Sequence, residues 1–158
     1  MGNYQQGSYQ PINTEKYLGK HLPTYRSGWE LTMMRLFDNH PNIIGWASES
    51  HRIPYIHPIT GKRSNYIPDF FVIYDDKNGQ RHAEMIEVKP SSQVMGEAKG
   101  QYDKAQAVVN EAKWNYARQF CKQQGIGFRI VTEHDIFNNP QKPTARRGPR
   151  KGTKRKKK

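Results

Sequence analysis

The sequence predicts an α/β (α+β) domain in which a mixed central sheet is flanked by helices. Apolar residues recur at helical spacing in two separate stretches, one around residues 29–37 and one within residues 96–124. Between and after them lie short runs rich in Val, Ile, Tyr and Phe, punctuated by Pro, Gly, Asn and Asp. The resulting order is helix, several strands, helix, strand, short helix, which suits a sheet with helices packed on it.

Residues 1–24 read as a polar N-terminal arm without sustained periodicity. The first helix opens at residues 26–30, where Ser27 serves as N-cap and Trp29, Met33, Leu36 and Phe37 form the apolar face. Asn39, His40 and Pro41 end it. Strands follow over residues 43–50 and 52–56, with a turn at 57–62 that holds Pro58 and Gly61. A longer strand is expected over residues 64–74, an Asn78-Gly79 hairpin loop over 75–80, and a returning strand over 81–89 stopped by Pro90. The second helix spans residues 96–124, with Tyr102, Ala105, Val109, Ala112, Tyr116 and Phe120 as its buried stripe and Gly125 at its end. A strand over 127–132 and a helical turn over 133–137 complete a domain of residues 25–138.

Charge is unevenly spread. The chain carries 26 Lys and Arg against 14 Asp and Glu, a net charge of +12. Residues 141–158 hold ten of the basic side chains and no acid, so the other 140 residues carry 16 against 14 and nearly balance. Residues 139–158 thus form a basic tail too poor in apolar groups to order itself alone. Arg146, Arg147, Arg150, Lys151, Lys154, Arg155, Lys156, Lys157 and Lys158 are its candidate phosphate contacts, with a merely solubilising charge run as the bland alternative. Deleting residues 141–158 is expected to weaken binding to a phosphate polyanion broadly; in a titration against salt the slope falls by at most about nine. Lys62 and Arg63, at a hairpin turn, read equally as phosphate contacts or a solvated loop, and Lys99, Lys104 and Lys113 as the wet face of the second helix. The single cysteine, Cys121, excludes an internal disulfide and a cysteine-rich zinc site within one chain. His51 and His57 lack zinc spacing. No apolar run suits a secretion signal or a membrane span, so a soluble cytoplasmic protein without a membrane partner is expected.

Four charged residues stand where apolar patterning otherwise prevails. Asp69 interrupts an apolar strand, and alternation puts it on the face of Ile67, Phe71 and Ile73. Glu87 and Lys89 are two apart and share a face on the neighbouring strand. Charges there are costly unless paired or bound to metal, and a divalent cation relieves two adjacent carboxylates by using both as ligands. Mg²⁺, with Mn²⁺ able to substitute, fits two such ligands, and the Val88 carbonyl lies between the two side chains to complete the set. Lys89 would orient the attacking water and offset developing negative charge. Glu30 adds an acid from the first helix, as a ligand directly or through water. It fits a capping box on the Ser27 amide equally well. For Asp69, Glu87 and Lys89 the competing reading is an edge-strand ion pair.

Pro68-Asp69 followed by Glu87-Val88-Lys89 resembles the PD-(D/E)XK signature of restriction-like nucleases. YRSGWE (residues 25–30), SNYIPDFFV (64–72), IEVKP (86–90) and RIVTE (129–133) are similar to the head completion nucleases of tailed phages and to the nuclease subunit of heteromeric transposases. The resemblance covers residues 17–137. It implies a restriction-endonuclease-like core and a Mg²⁺-dependent endodeoxyribonuclease. It further implies metal ligands at Asp69 and Glu87, the catalytic lysine at Lys89 and the helix acid at Glu30. Some transposase relatives carry Gln at the position of Glu87, so the acid pair here favours the phage type. The implied partners are double-stranded or structured DNA, packaged or at its ends during head completion, together with capsid or portal proteins. The implied places are the host cytoplasm during assembly and the virion head or neck. The alternatives are a non-catalytic head-assembly protein on a nuclease fold and an RNA binder, the latter resting on charge alone.

Overall fold

The computed structural model describes residues 6–94 and 99–138, so the basic tail and its nine candidate contacts lie outside the described residues. In chain order the elements are β1 (Gly7–Ser8), β2 (Thr24–Tyr25), α1 (Gly28–Asn39), β3 (Ile43–Ser48), β4 (Ile53–Ile56), β5 (Arg63–Tyr66), β6 (Phe70–Asp75), β7 (Arg81–Val88), α2 (Gly100–Gln124), β8 (Gly127–Val131) and α3 (Glu133–Asn138). A four-stranded sheet runs in the order β3-β6-β7-β8. Its first two pairings are antiparallel, whereas β8 returns parallel to β7. A parallel return needs a crossover, and α2 supplies it. The mixed sheet between helices is the α/β architecture expected.

Alternation along the strands divides the core in two. Phe70, Val72, Ile86 and Val88 pack on one face with Trp46 and with Met33, Met34 and Phe37 of α1. Met85 and Phe71 belong to the other, against Trp114, Ala117 and Cys121 of α2 and Ile53, Tyr55 and Tyr66 of the β4–β5 hairpin. α1 starts at the expected place because the Ser27 Oγ accepts the Glu30 N–H at 3.2 Å. Gly125, at φ +75°, ends α2 in the left-handed conformation that suits glycine.

Two expectations need correction. The strand expected over residues 64–74 is two strands, β5 paired with β4 and β6 in the main sheet, with Ile67, Pro68 and Asp69 between them. Proline has no N–H to give a ladder, so the chain changes sheets there, and Ile67 is exposed rather than on a core face. The buried stripe of α2 is also different: Ala107, Asn110, Trp114, Ala117 and Cys121 line it, together with Val109. Tyr102, Ala105 and Tyr116 are exposed, while Ala112 and Phe120 are only partly covered. Trp114 is the largest fully buried side chain of that stripe, with small Ala117 and Cys121 on the same face.

The stretch before α1 is clasped to the core by Asp38, which has no exposed surface. Its carboxylate accepts the Tyr9 hydroxyl at 2.6 Å, the Ile12 N–H at 2.7 Å and the Asn13 N–H at 2.9 Å. Its carbonyl takes the Asn13 amide and the Lys16 ammonium. Tyr17 lies edge-on to Trp46, and the Leu18 N–H donates to the Trp46 carbonyl at 2.8 Å. Among the described residues no helix is long and apolar enough to cross a membrane.

Candidate active site

The candidate residues meet where β7 ends and β6 begins. On β7, Ile86 faces Phe70 and Glu84 faces Val72. Continuing that register by one pair sets Val88 across from Pro68. A residue's N–H and C=O leave a strand on the same side. With proline opposite, the ladder has no N–H to offer the Val88 carbonyl. The Val88 N–H is taken instead by Asp69, whose Oδ2 accepts it at 2.8 Å. Pro68, just before Asp69, has no N–H to offer the edge to which the carboxylate is fastened.

Glu87 and Lys89 extend from β7 on the Met85 face, as alternation requires. Glu87 is buried; its Oε1 accepts the Tyr66 hydroxyl at 2.7 Å, and its Oε2 lies 3.4 Å from the Lys89 ammonium. The Lys89 N–H donates to the Val131 carbonyl at 2.9 Å, which ties the root of that side chain to β8. Glu30 comes from the first turn of α1. The capping reading is half right, because its Oε1 accepts the Arg26 N–H at 3.1 Å rather than the Ser27 amide. The capped carboxylate still lies within the field of Glu87 and Asp69. Arg26 also pairs with Glu49, whose N–H donates to the Asp69 carbonyl at 2.9 Å. Glu49, at φ 53°, is the one non-glycine residue with positive φ among the described residues, a strained conformation held at the edge of the site.

All three acids are pushed toward their neutral forms. Burial raises Asp69 well above the usual carboxylate range; the charges of Glu87 and Glu30 add to it, and the Val88 N–H and Lys89 only partly oppose it. Burial also raises Glu87 against the pull of Lys89 and Tyr66, and raises Glu30 against Arg26. Four acids, Glu30, Glu49, Asp69 and Glu87, stand here against three cations, Arg26, Lys89 and Lys113. A divalent cation would supply positive charge there, and oxygen donors suit a hard cation. Among the described residues no group of three His, Cys, Asp or Glu side chains gathers closely enough to hold a metal by itself.

The model of the TnsA-like endonuclease N-terminal family matches residues 40–133, more than half of the chain. The chain belongs to this endonuclease family. It is also 34% identical over 142 residues to the head completion nuclease of Enterobacteria phage T4, spanning 82% of this chain and 92% of that one. The matched family segment contains Asp69, Glu87 and Lys89, whereas Arg26 and Glu30 precede it.

Not every candidate of the endonuclease reaches this place. Lys62 and Arg63 sit exposed at the far end of the β4–β5 hairpin from Tyr66, the residue that touches Glu87. Lys99 and Lys104 are exposed as expected, but Lys113 is not on a wet face. It is partly buried, 5.9 Å from the ring centres of both Tyr55 and Tyr66, and senses the charges of Glu87 and Lys89. Tyr66 and Arg26, partners of Glu87 and Glu30, received no role from sequence. The run Ala107, Asn110, Trp114, Ala117, Cys121, at spacings of three and four, would have placed Lys113 beside the buried stripe.

Proposed function

We propose that this endonuclease hydrolyses DNA phosphodiester bonds with a divalent cation, Mg²⁺ or Mn²⁺, during completion of a phage head. Asp69, Glu87 and the Val88 carbonyl would hold the cation, and Glu30 would join through water. A cation held by these residues would supply Lewis-acid polarisation of the scissile phosphate and acidify the attacking water. Asp69 is kept in place by the Val88 N–H, and Glu87 by the Tyr66 hydroxyl. Lys89, anchored to β8 and leaning on Glu87, places its ammonium where it can orient the water and offset the charge that develops on phosphate. Arg26 and Ser27 fix Glu30 at the helix start.

The observation that carries this reading is the excess of negative charge where partly buried Asp69 meets Glu30 and buried Glu87. The role in head completion is supported by the relative of that name, which the chain matches along most of its length. Purified full-length protein should nick or cut linear, nicked, branched or single-stranded DNA in Mg²⁺ and stop with EDTA. Asp69→Ala and Lys89→Ala should each lose on the order of a hundredfold or more in rate. Cutting at the wild-type rate by both variants would remove the assignment. DNA binding without metal-dependent cutting by the wild type would leave a structural head protein instead.

A further inference from the structure

Lys113 is a cation that neither packing nor pairing accounts for. It stands on the shoulder of α2 next to buried Trp114, and its ammonium rests over two tyrosine rings. One of these rings, Tyr66, is tied through its hydroxyl to Glu87. Aromatic faces locate an ammonium without neutralising it. No carboxylate among the described residues forms an ion pair with Lys113. Burial, and then the nearby charge of Lys89, make its charged form costly, with only partial relief from Glu87. A half-buried ammonium in that position is stabilised by an anion arriving from solution.

We propose that Lys113 is a second phosphate-binding cation of the active site, contacting a non-bridging oxygen of the phosphate to be cut. The proposal rests on the metal-dependent hydrolysis described above. Charge accounting supports it. Arg26 and Glu49 neutralise each other. Glu30, Asp69 and Glu87, set against Lys89 and Lys113, leave one net negative charge. A divalent cation and a phosphodiester monoanion then bring the site to neutrality. Once the attacking water has given its proton to solvent, the pentacoordinate transition state carries one further negative charge, and without Lys113 that charge would build up in a site already negative. Lys113 thus acts from the helix side of the phosphate, and Lys89 from the sheet.

The test compares full-length wild type with Lys113→Met, which keeps the bulk of the chain, and Lys113→Arg, which keeps the charge. Duplex cleavage in Mg²⁺ gives kcat and KM, duplex affinity in Ca²⁺ is followed against salt, and melting checks the fold. Lys113→Met should lower kcat about ten- to a hundredfold with a melting temperature within a few degrees of wild type. It should also reduce the slope of log affinity against log salt by about one. Lys113→Arg should recover part of the lost rate. Wild-type kcat/KM in Lys113→Met, or equal impairment of the two variants, would overturn the assignment. If the wild type itself cuts nothing with Mg²⁺ or Mn²⁺, the hydrolytic reading falls and the salt slope alone decides. A decrease of about one then upholds the phosphate contact, and an unchanged slope refutes it.

Discussion

The protein buries carboxylates in two places and treats them in opposite ways. On the α1 side, Asp38 is completely covered, and burial alone would raise its pKa. The Tyr9 hydroxyl and the N–H groups of Ile12 and Asn13 more than offset that cost and hold it below the usual range. At the junction of β6 and β7, Asp69 receives one N–H and faces two other acids, and it is raised. Satisfied donors make Asp38 a permanent anion that fastens the N-terminal segment. Burial, with the neighbouring acids added at Asp69, pushes Asp69 and Glu87 the other way, and a bound cation would favour their charged forms. Donors that outweigh burial at Asp38, against burial and neighbouring acids that prevail at Asp69, separate the clasp from the candidate site.

Substitutions can break this contrast. The largest effect belongs to the reactive pair: Asp69→Ala and Lys89→Ala should abolish most DNA cutting, by a hundredfold or more, while the protein still melts cooperatively. Asp38→Ala should do the reverse. It strands several buried donors and should cost about 2–4 kcal/mol of stability, seen as a drop of roughly 10 °C in melting temperature. Cutting per folded molecule should be preserved. Because the pKa of Asp38 is lowered, its contribution is present above the unfolded carboxylate pKa and is lost as pH falls through the folded value.

A smaller effect sharpens the comparison. Glu87 has a raised pKa, so its contribution is present below the unfolded carboxylate pKa and is lost as pH rises through the folded one. Metal-free Glu87→Gln should therefore gain on wild type by a few degrees in melting temperature as pH climbs to neutrality. Mg²⁺ at about a hundred times its dissociation constant should stabilise the wild type by roughly 2.7 kcal/mol and the variant far less. An equal Mg²⁺ response from both proteins would separate Glu87 from the metal.

Much of this was legible in the sequence because local signals agreed with the fold. Ser27 before an apolar helix, Asn78-Gly79 between two strands and Gly125 after α2 each carry their own backbone chemistry, and the structure uses them as read. Glu87 and Lys89 share a face through the period of a strand and nothing more. The break at Pro68 was harder to see, since apolar alternation runs through it and only pairing partners reveal that β5 and β6 lie in different sheets. The clasp on Asp38 was hidden for a similar reason: its donors lie 22 to 29 residues away in a stretch without periodicity. Lys113 escaped because its partners, Tyr55 and Tyr66, come from a hairpin whose position over α2 no local pattern encodes.

Direct titration of Mn²⁺ into the full-length protein, followed by calorimetry or by loss of the free-ion paramagnetic signal, examines the reactive carboxylates without relying on turnover. The wild type should take up the cation near neutral pH and progressively less as pH falls, because protons compete for the raised carboxyls of Asp69 and Glu87. Asp69→Ala should lose most of that binding, while Asp38→Ala should retain it. Equal uptake by wild type and Asp69→Ala would contradict the account.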